Sequence, residues 1–292
     1  MNNVLADLLE LLDLERLEIN LFRGESRDIG SPQVFGGQVL GQALMAASRT
    51  VDIARPVHSL HAYFLRRGDF NAPIVYEVDR SRDGGSFTSR RVVAIQHGQQ
   101  IFHMSASFQV AEEGPDHQAS MPAVAPPEDL PDLSALQRRH LERLTEQARQ
   151  YWSRPRPFEF RSVEAASDGR PQPGVRHVWF RLVGHCPQGE DWVLQRSLLA
   201  YVSDFHLLET ATLPHGLSHF AGNVQLASID HAMWFHRPFR LDEWMLYALI
   251  SPSSSGARGL AFGRIFDRAG RLVASTAQEG LMRGLRAEPT SR

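Results

Sequence analysis

Two parts of this 292-residue chain repeat the same pattern of residues at a separation of 170 positions. An internal repeat constrains the fold before any motif is read, because each copy must form the same supersecondary unit. The sequence therefore predicts one unit written twice, with a loose overlay of two unrelated α+β halves as the alternative. Three pairs of segments keep the separation: His61–Phe64 with His231–Trp234, Ile74–Val78 with Trp244–Ala248, and Ser105–Ser107 with Ser275–Ala277.

The first half begins with helical patterns and continues with strands. Leucines at helical spacing predict an amphipathic helix over Val4–Arg16, and Phe35–Gln38 opens a second, apolar helix at Val39–Ala47. Both faces of the second helix are small or apolar, which predicts that it is buried. Strand-like runs joined by glycine turns follow at Val57–Leu65, Ile74–Asp79, Phe87–His97 and Gln100–Val110.

A proline-rich segment separates the two halves. The prolines of Glu112–Asp132 prevent a regular helix or sheet, and Ser134–Tyr151 then has the spacing of a helix. We therefore expect an N-terminal unit at 1–112, a linker with a helix at 113–156 and a C-terminal unit at 157–286. The C-terminal unit has a long helical segment, Asp191–Leu208, among strand-like runs at Val175–Val183, Gln225–His236, Trp244–Ile250, Gly259–Asp267 and Arg271–Glu279.

The composition excludes several classes of chemistry. All 31 basic residues are arginine, which excludes a Schiff-base lysine, a Walker-A loop and a protein-kinase core. The single cysteine, Cys186, excludes an intramolecular disulfide and a cysteine-based zinc cluster. A formal net charge of −2 indicates no binding of nucleic acid. No apolar stretch approaches the roughly 20 residues that span a bilayer, and no signal peptide is recognisable, so we expect a cytoplasmic protein without a membrane partner.

Six segments resemble the type II acyl-CoA thioesterases, a family built from two fused hotdog domains. The resemblance extends over nearly the whole chain and is most specific in the long second-half run Ser228–Pro238. It implies an α+β fold in which each hotdog domain is a curved antiparallel sheet wrapped around a central helix. The six segments are Phe35–Gln38, His58–Arg66, Gly84–Phe87, Ser203-Asp204, Ser228–Pro238 and Gln278–Gly280.

The resemblance also implies a catalytic trio. The family's acid on the second-half helix falls on Asp204, its hydroxyl residue before the Asp-His pair on Ser228, and its glutamine near the C-terminus on Gln278. Together they would hold a water that hydrolyses acyl-CoA to free CoA and a fatty acid, without an acyl-enzyme, a cofactor or a metal. The first-half helix, Gly37–Ala47, is uncharged, so we expect one working site per chain. The acyl chain would lie in an apolar channel beside the second-half helix.

Other interpretations of the residues remain open. A hotdog enoyl-CoA hydratase or dehydratase would need a histidine near the acid, for which His206 is a candidate, and a non-catalytic acyl-CoA binding protein would need neither. Gly36-Gly37 suits backbone N–H donation to an oxyanion and tight helix packing equally well. The histidines, including His215 and His219, lack zinc-enzyme spacing. The edges of a hotdog sheet invite pairing, so we expect a homo-oligomer, either a dimer or a tetramer.

Overall fold

The computed structural model describes residues 3–31, 33–133, 154–165, 169–186, 191–218 and 221–285. Its main element is a 13-stranded sheet whose neighbouring strands are antiparallel, in the order β1-β2-β4-β5-β6-β3-β10-β13-β12-β11-β8-β7, with β9 paired to β13. The strands are β1 (Glu15–Glu18), β2 (Leu21–Gly24), β3 (Val57–Phe64), β4 (Ile74–Asp83), β5 (Phe87–Gln96), β6 (Gln99–Gln109), β7 (Phe158–Ser162), β8 (Val175–Leu182), β9 (Val224–Ser228), β10 (Asp230–Phe235), β11 (Met245–Ser255), β12 (Arg258–Asp267) and β13 (Leu272–Gly284). The helices are α1 (Asn3–Leu12), α2 (Gly36–Ser48) and α3 (Trp192–Ser203), and short 3-10 helices lie at Pro127–Asp129 and Leu208–His215.

Within the sheet, the described strands of the two halves meet at one pair, β3 and β10. Ala62 pairs with His231 and Leu60 pairs with Met233, and all four side chains are buried. Every strand on the β3 side of this seam comes from residues 15–109, and every strand on the β10 side comes from residues 158–284. The two copies therefore lie side by side in one continuous sheet.

Equivalent pairs of strands in the two halves have the same pairing, and their residues are separated by 171 positions instead of the predicted 170. Val75 pairs with Ile95 in the first half, and Leu246 pairs with Phe266 in the second. Each member of the first pair thus recurs 171 positions later in the second pair. The ladders also shift register at equivalent places, namely between Asp79 and Arg82 in β4 and between Ile250 and Ser253 in β11.

Between the last strands of the two halves, β6 and β13, the separation is one residue larger. Val92 of β5 pairs with Met104, and Gly263 of β12 pairs with Thr276. The separation is therefore 171 residues between β5 and β12, and 172 residues between β6 and β13. The extra residue lies in the connection before the last strand.

The separation of 170 predicted from the sequence is therefore wrong by one or two residues. Side chains alternate between the two faces of a strand, so a slip of one residue exchanges the faces. At 170, His61 would correspond to His231, yet His61 is exposed and His231 is fully buried. At 171, Leu60 corresponds to His231, and both are buried. Tyr63 corresponds to Trp234, and both are exposed.

Helices α2 and α3 pack closely against each other. A Cβ atom at Gly37 would lie 2.2 Å from the carbonyl oxygen of Tyr201, and one at Gly41 would lie 3.0 Å from that of Ser197. Backbones this close leave no space for a side chain, so the approach requires glycine. Residues of α2 from Gly37 to Ser48 are buried, which confirms the burial predicted from its apolar sequence.

Three predicted elements differ from the structure. The first helix ends at Leu12, and the chain forms strand β1 where the prediction continued the helix to Arg16; the leucine spacing alone did not locate this end. The run predicted as one strand at 225–236 is two strands, because the chain breaks at Ile229, whose N–H donates to the Glu279 carbonyl at 3.0 Å. The helix predicted to extend to Leu208 ends at Ser203.

The helix predicted at Ser134–Tyr151 lies outside the described residues. The division into units at 1–112, 113–156 and 157–286 therefore stays a prediction. The described part of the linker contains the 3-10 helix at Pro127–Asp129. Over the ranges that the structure describes, no helix is both long and apolar enough to cross a membrane.

Candidate active site

Asp204 lies at the carboxyl-terminal end of α3. The helix begins after Asp191, whose Oδ1 accepts the backbone N–H groups of Val193 and Leu194 at 2.9 and 3.2 Å and so satisfies two donors of the first turn. It ends at Ser203, and Asp204 is the C-cap residue. The side chain of Asp204 is only 6% exposed, so the fold holds a carboxyl group inside the protein, where it needs a hydrogen-bond partner.

Strand β13 supplies that partner. Gln278 is 1% exposed, and its Nε2 donates to Oδ1 of Asp204 at 2.7 Å across 74 residues of sequence. A short hydrogen bond from an amide to a carboxylate is among the stronger ones in proteins. The structure thus brings two of the three predicted residues into direct contact.

Ser228, the third predicted residue, is the last residue of β9 and pairs with Gly280 of β13. Cross-strand partners face the same side, and Gly280 follows Gln278 by two residues, so Ser228 and Gln278 share a face of the sheet. That face points inward, because a Cβ atom at Gly280 would lie 2.3 Å from the side chain of Leu208. Ser228 therefore faces the same side of the sheet as Gln278, on the neighbouring strand.

The amino-terminal end of α2 approaches the same carboxylate. A Cβ atom at Gly36 would lie 2.7 Å from Oδ2 of Asp204 and 3.1 Å from the ring of Phe64. Gly36 is the first residue of the helix, and the N–H groups of a first helical turn have no partner within the helix. Phe35, the N-cap residue, has no side-chain acceptor for them. The N–H groups of Gln38 and Val39 donate to the carbonyl oxygen of Phe35 at 3.0 and 3.4 Å. The first two residues of the helix, Gly36 and Gly37, are therefore the ones whose N–H groups have no partner within it, and Gly36 lies beside the carboxylate.

His231 is a site residue that the sequence reasoning did not single out. Its ring is fully buried, with Nδ1 3.2 Å from Nε2 of Gln278 and 3.7 Å from Oδ1 of Asp204. The neighbouring Asp230 faces the other side of the strand, where burial raises the pKa of its carboxyl group. The available signal was the Asp-His pair itself, because only one of two adjacent strand residues faces inward.

His206, the histidine considered for a hydratase, lies next to a different acid. His206 has a backbone φ of 67°, burial lowers the pKa of its ring, and its Nδ1 lies 3.5 Å from Glu209. Its ring meets Phe160 edge-on at 5.1 Å. Within the described part of the chain, no group of three or more His, Cys, Asp or Glu side chains is arranged to hold a metal ion; His219 lies outside that part.

The equivalent positions of the first half lack this chemistry. The strand correspondence places Val57 at the position of Ser228 and Ala106 at the position of Gln278. The C-cap residue of α2 is Arg49, where α3 has Asp204. Of the two helix ends, only that of α3 therefore carries a carboxyl group with an amide partner.

An apolar cavity of about 170 Å³ lies beside α3. It is lined by Tyr201 and Phe205, which flank Asp204 in sequence, and by the side chains of Leu8, Leu11, Ile29, Phe158 and Phe160. The ring of Phe35, which precedes Gly36, lies 4.4 Å from that of Phe205 and 5.2 Å from that of Tyr201. The cavity thus adjoins residues close to Asp204 in sequence, and its lining also includes five charged residues: Asp7, Arg27, Asp28, Arg154 and Arg156.

Family models match most of the chain. A model described as "Acyl-CoA thioesterase" matches residues 147–281, and one described as "Acyl-CoA thioesterase N-terminal domain" matches residues 23–109. Acyl-CoA thioesterase 2 of Haemophilus influenzae is 44% identical over 285 residues, which cover 97% of this chain and 99% of the relative. Human acyl-coenzyme A thioesterase 8 is 42% identical over 282 residues, 94% of this chain and 88% of the relative.

Solved structures agree with these matches. The acyl-CoA thioesterase II TesB2 of Mycobacterium marinum is 44% identical and superposes with a TM-score of 0.78, covering 97% of this chain and 99% of that one. A protein of unknown function from Alicyclobacillus acidocaldarius, described as having a hot dog fold, is 17% identical with a TM-score of 0.75, covering 95% of this chain and 98% of that one. The double hotdog predicted from the sequence is thereby confirmed.

Proposed function

This chain belongs to the acyl-CoA thioesterase family and hydrolyses acyl-CoA thioesters, and from that premise we propose that Asp204, Ser228 and Gln278 hold the attacking water. The observation that supports the assignment most directly is the 2.7 Å hydrogen bond between Gln278 and Asp204. It joins two residues that the family resemblance selects and that are distant in sequence.

The two oxygens of the Asp204 carboxylate have different roles in this proposal: one accepts a hydrogen bond from Gln278, and the other binds the water. Oδ1 of Asp204 accepts the Gln278 amide, whereas Oδ2 lies next to Gly36. A water donating to Oδ2 is activated as a nucleophile, while the Ser228 hydroxyl and the Gln278 carbonyl oxygen orient it. The water oxygen bonds to the acyl carbon, the C–S bond breaks, and the water proton passes to Asp204 and then to the CoA thiolate.

The amino-terminal end of α2 would stabilise the oxyanion. Negative charge develops on the thioester oxygen during the attack, and preorganised backbone N–H groups are effective at stabilising such charge. The N–H groups of Gly36 and Gly37 have no partner within the helix, and Gly36 lies beside the Asp204 carboxylate. The leaving group needs little assistance, since a free thiol has a pKa near ~8.5.

The acyl chain would use the apolar cavity beside α3. Its lining is mostly aromatic and aliphatic, and it includes Tyr201 of the last turn of α3 and Phe205, which follows Asp204. Burying a methylene group stabilises a complex by about 0.8 kcal/mol, so a cavity of this kind favours acyl chains over short polar groups.

A comparison of Asp204→Asn with wild type tests the assignment. Loss of a positioned base should lower kcat by about 10²–10⁴-fold, measured as thiol released from acyl-CoA substrates of several chain lengths. Ser228→Ala and Gln278→Ala should also lower kcat, because each removes a group that orients the water. Asp52→Asn is the matched control, since Asp52 is exposed and its Oδ1 only accepts the N–H of Ala54 at 2.9 Å. Undiminished hydrolysis by Asp204→Asn would refute the role of this carboxylate.

The cytoplasmic location, the dimer or tetramer and a role in fatty acid metabolism stay predictions. Analytical ultracentrifugation of the full chain would test the second of these, and a purely monomeric species would contradict it.

A further inference from the structure

Gln278 carries an unusual hydrogen-bonding arrangement for a buried amide. Its Nε2 lies 2.7 Å from Oδ1 of Asp204 and 3.2 Å from Nδ1 of His231. Its Oε1 is buried and, among the described residues, has no hydrogen-bond partner. Leaving a buried polar atom unpaired costs about 1–3 kcal/mol, so this oxygen is suited to a ligand or water that enters the site.

The hydrogen bonds determine which nitrogen of His231 carries a proton. A carboxylate only accepts, so the Gln278 atom that faces Asp204 is the NH2 group. That group has two hydrogens, one for Asp204 and one for Nδ1 of His231, and Nδ1 must therefore accept.

The contact of Nε2, on the other side of the ring, independently indicates the same protonation of His231. Nε2 of His231 lies 3.0 Å from Oγ of Ser203, and that hydroxyl donates its one hydrogen to the carbonyl oxygen of Ala200 at 2.9 Å. Ser203 must then accept from His231, so Nε2 carries the proton. Both ends of the network require the neutral ring protonated at Nε2.

We propose that His231 is a positioning residue that fixes the orientation of the Gln278 amide, so that Oε1 rather than the NH2 group faces the attacking water. The proposal rests on the proposed function of Gln278 in holding that water. Without an acceptor at Nδ1, only one amide hydrogen is engaged, and the amide can rotate away from Asp204. An amide turned in this way offers the water a donor where it needs an acceptor.

Two substitutions of His231 separate this role from packing. The carbonyl of an asparagine side chain replaces Nδ1, so His231→Asn keeps the acceptor for Gln278. His231→Gln instead replaces Nε2 and keeps only the contact with Ser203. We expect His231→Gln to lower kcat by about 10–100-fold with KM changed less than ~3-fold, because a misplaced group near the reacting atoms has effects of this size. His231→Asn should retain at least ~5-fold more kcat than His231→Gln.

The matched control is His61→Gln. His61 belongs to the first-half segment that resembles the one containing His231, but it is exposed on the outer face of the sheet and contacts Trp234 edge-on at 5.3 Å. This variant should keep the wild-type kcat.

A spectroscopic measurement requires no altered activity. In wild-type protein labelled with 15N at histidine, the ring signals that disappear in His231→Asn should show Nδ1 unprotonated and Nε2 protonated. A protonated Nδ1, or equal kcat values for His231→Asn and His231→Gln, would overturn the proposal.

Asp204→Asn, assayed in parallel, distinguishes failure of the positioning role from failure of the proposed function. If it is inactive while the His231 variants behave alike, the positioning role fails and the catalytic assignment stands. If it is fully active, the proposed function fails.

Discussion

Replacing Gly36 with alanine should impair catalysis while leaving the fold intact. The new Cβ atom would lie 2.7 Å from Oδ2 of Asp204, whereas ordinary contacts begin at 3.4 Å. The carboxylate or the helix start must therefore move by about 0.7 Å, and misplacement of about 1 Å near the reacting atoms can cost ~10²-fold in rate. We expect kcat to fall by about 10–100-fold, which corresponds to ~1.4–2.7 kcal/mol in the activation free energy.

The free energy of unfolding of Gly36→Ala should rise slightly or stay unchanged, although kcat falls. Alanine in place of glycine reduces the entropy of the unfolded chain, which stabilises the folded state by about 0.4–1 kcal/mol where the backbone conformation permits it. The side chain of Phe64, 3.1 Å from the new atom, needs to shift by only a few tenths of an ångström. The free energy of unfolding from urea titration, together with thiol release from acyl-CoA, measures the two effects separately.

Gly85→Ala is the control for this prediction. A Cβ atom at Gly85, in the turn between β4 and β5, would meet no atom within 4 Å, so kcat should stay at the wild-type value. If Gly36→Ala hydrolyses acyl-CoA as fast as Gly85→Ala does, the close approach of α2 to the carboxylate has no catalytic consequence. If it instead unfolds at much lower urea, the contact serves the fold and not the site.

Two further predictions concern stability. Tyr247→Phe removes a buried hydroxyl that lies 2.8 Å from Oγ1 of Thr276 and 3.0 Å from the carbonyl oxygen of Ser203; we expect a loss of about 1–3 kcal/mol in the free energy of unfolding, and a difference below the error of a urea titration would contradict it. Burial by itself would raise the pKa of Glu159, but hydrogen bonds from two arginines outweigh it and lower this pKa. The folded state therefore gains stability above the unfolded pKa of about 4.3 and loses it as the pH falls through the lower folded value. The stability difference between wild type and Glu159→Gln should accordingly be largest above pH ~5 and shrink below pH ~4; a difference independent of pH would show that this carboxyl is not stabilised as a charge.

Much of the architecture follows from local patterns in the chain. The apolar residues of α2 predict a buried helix, and alternating runs between glycine turns predict most strands of both halves; β1, β2 and β7 were not predicted. The reason is that hydrophobic periodicity and turn residues act over a few positions and are little affected by the rest of the fold. The segments that resemble the thioesterase family also selected Asp204 and Gln278, whose contact no local pattern predicts.

The sequence alone did not give the correct register of the repeat. Residues 61–64 resemble residues 231–234 at a separation of 170. Strand pairing places the structural correspondence at 171 and, for the last strand, at 172. The register is read from the pairing of neighbouring strands in the folded chain, and a slip of one residue moves every side chain to the other face. This is why the comparison of His61 with His231 concealed the buried histidine of the site.

The chain by itself thus determined most of the order of elements, the doubling of the unit and the residue types available for hydrolysis without lysine or a second cysteine. The tertiary structure decided which of those residues meet. Asp204, Gln278 and His231 come from a helix end and two strands that are 27–74 residues apart, and their hydrogen bonds depend on distances and directions that only the packed sheet and helices set. Polar chemistry in a protein interior is controlled by such geometry, because each buried donor needs one particular acceptor.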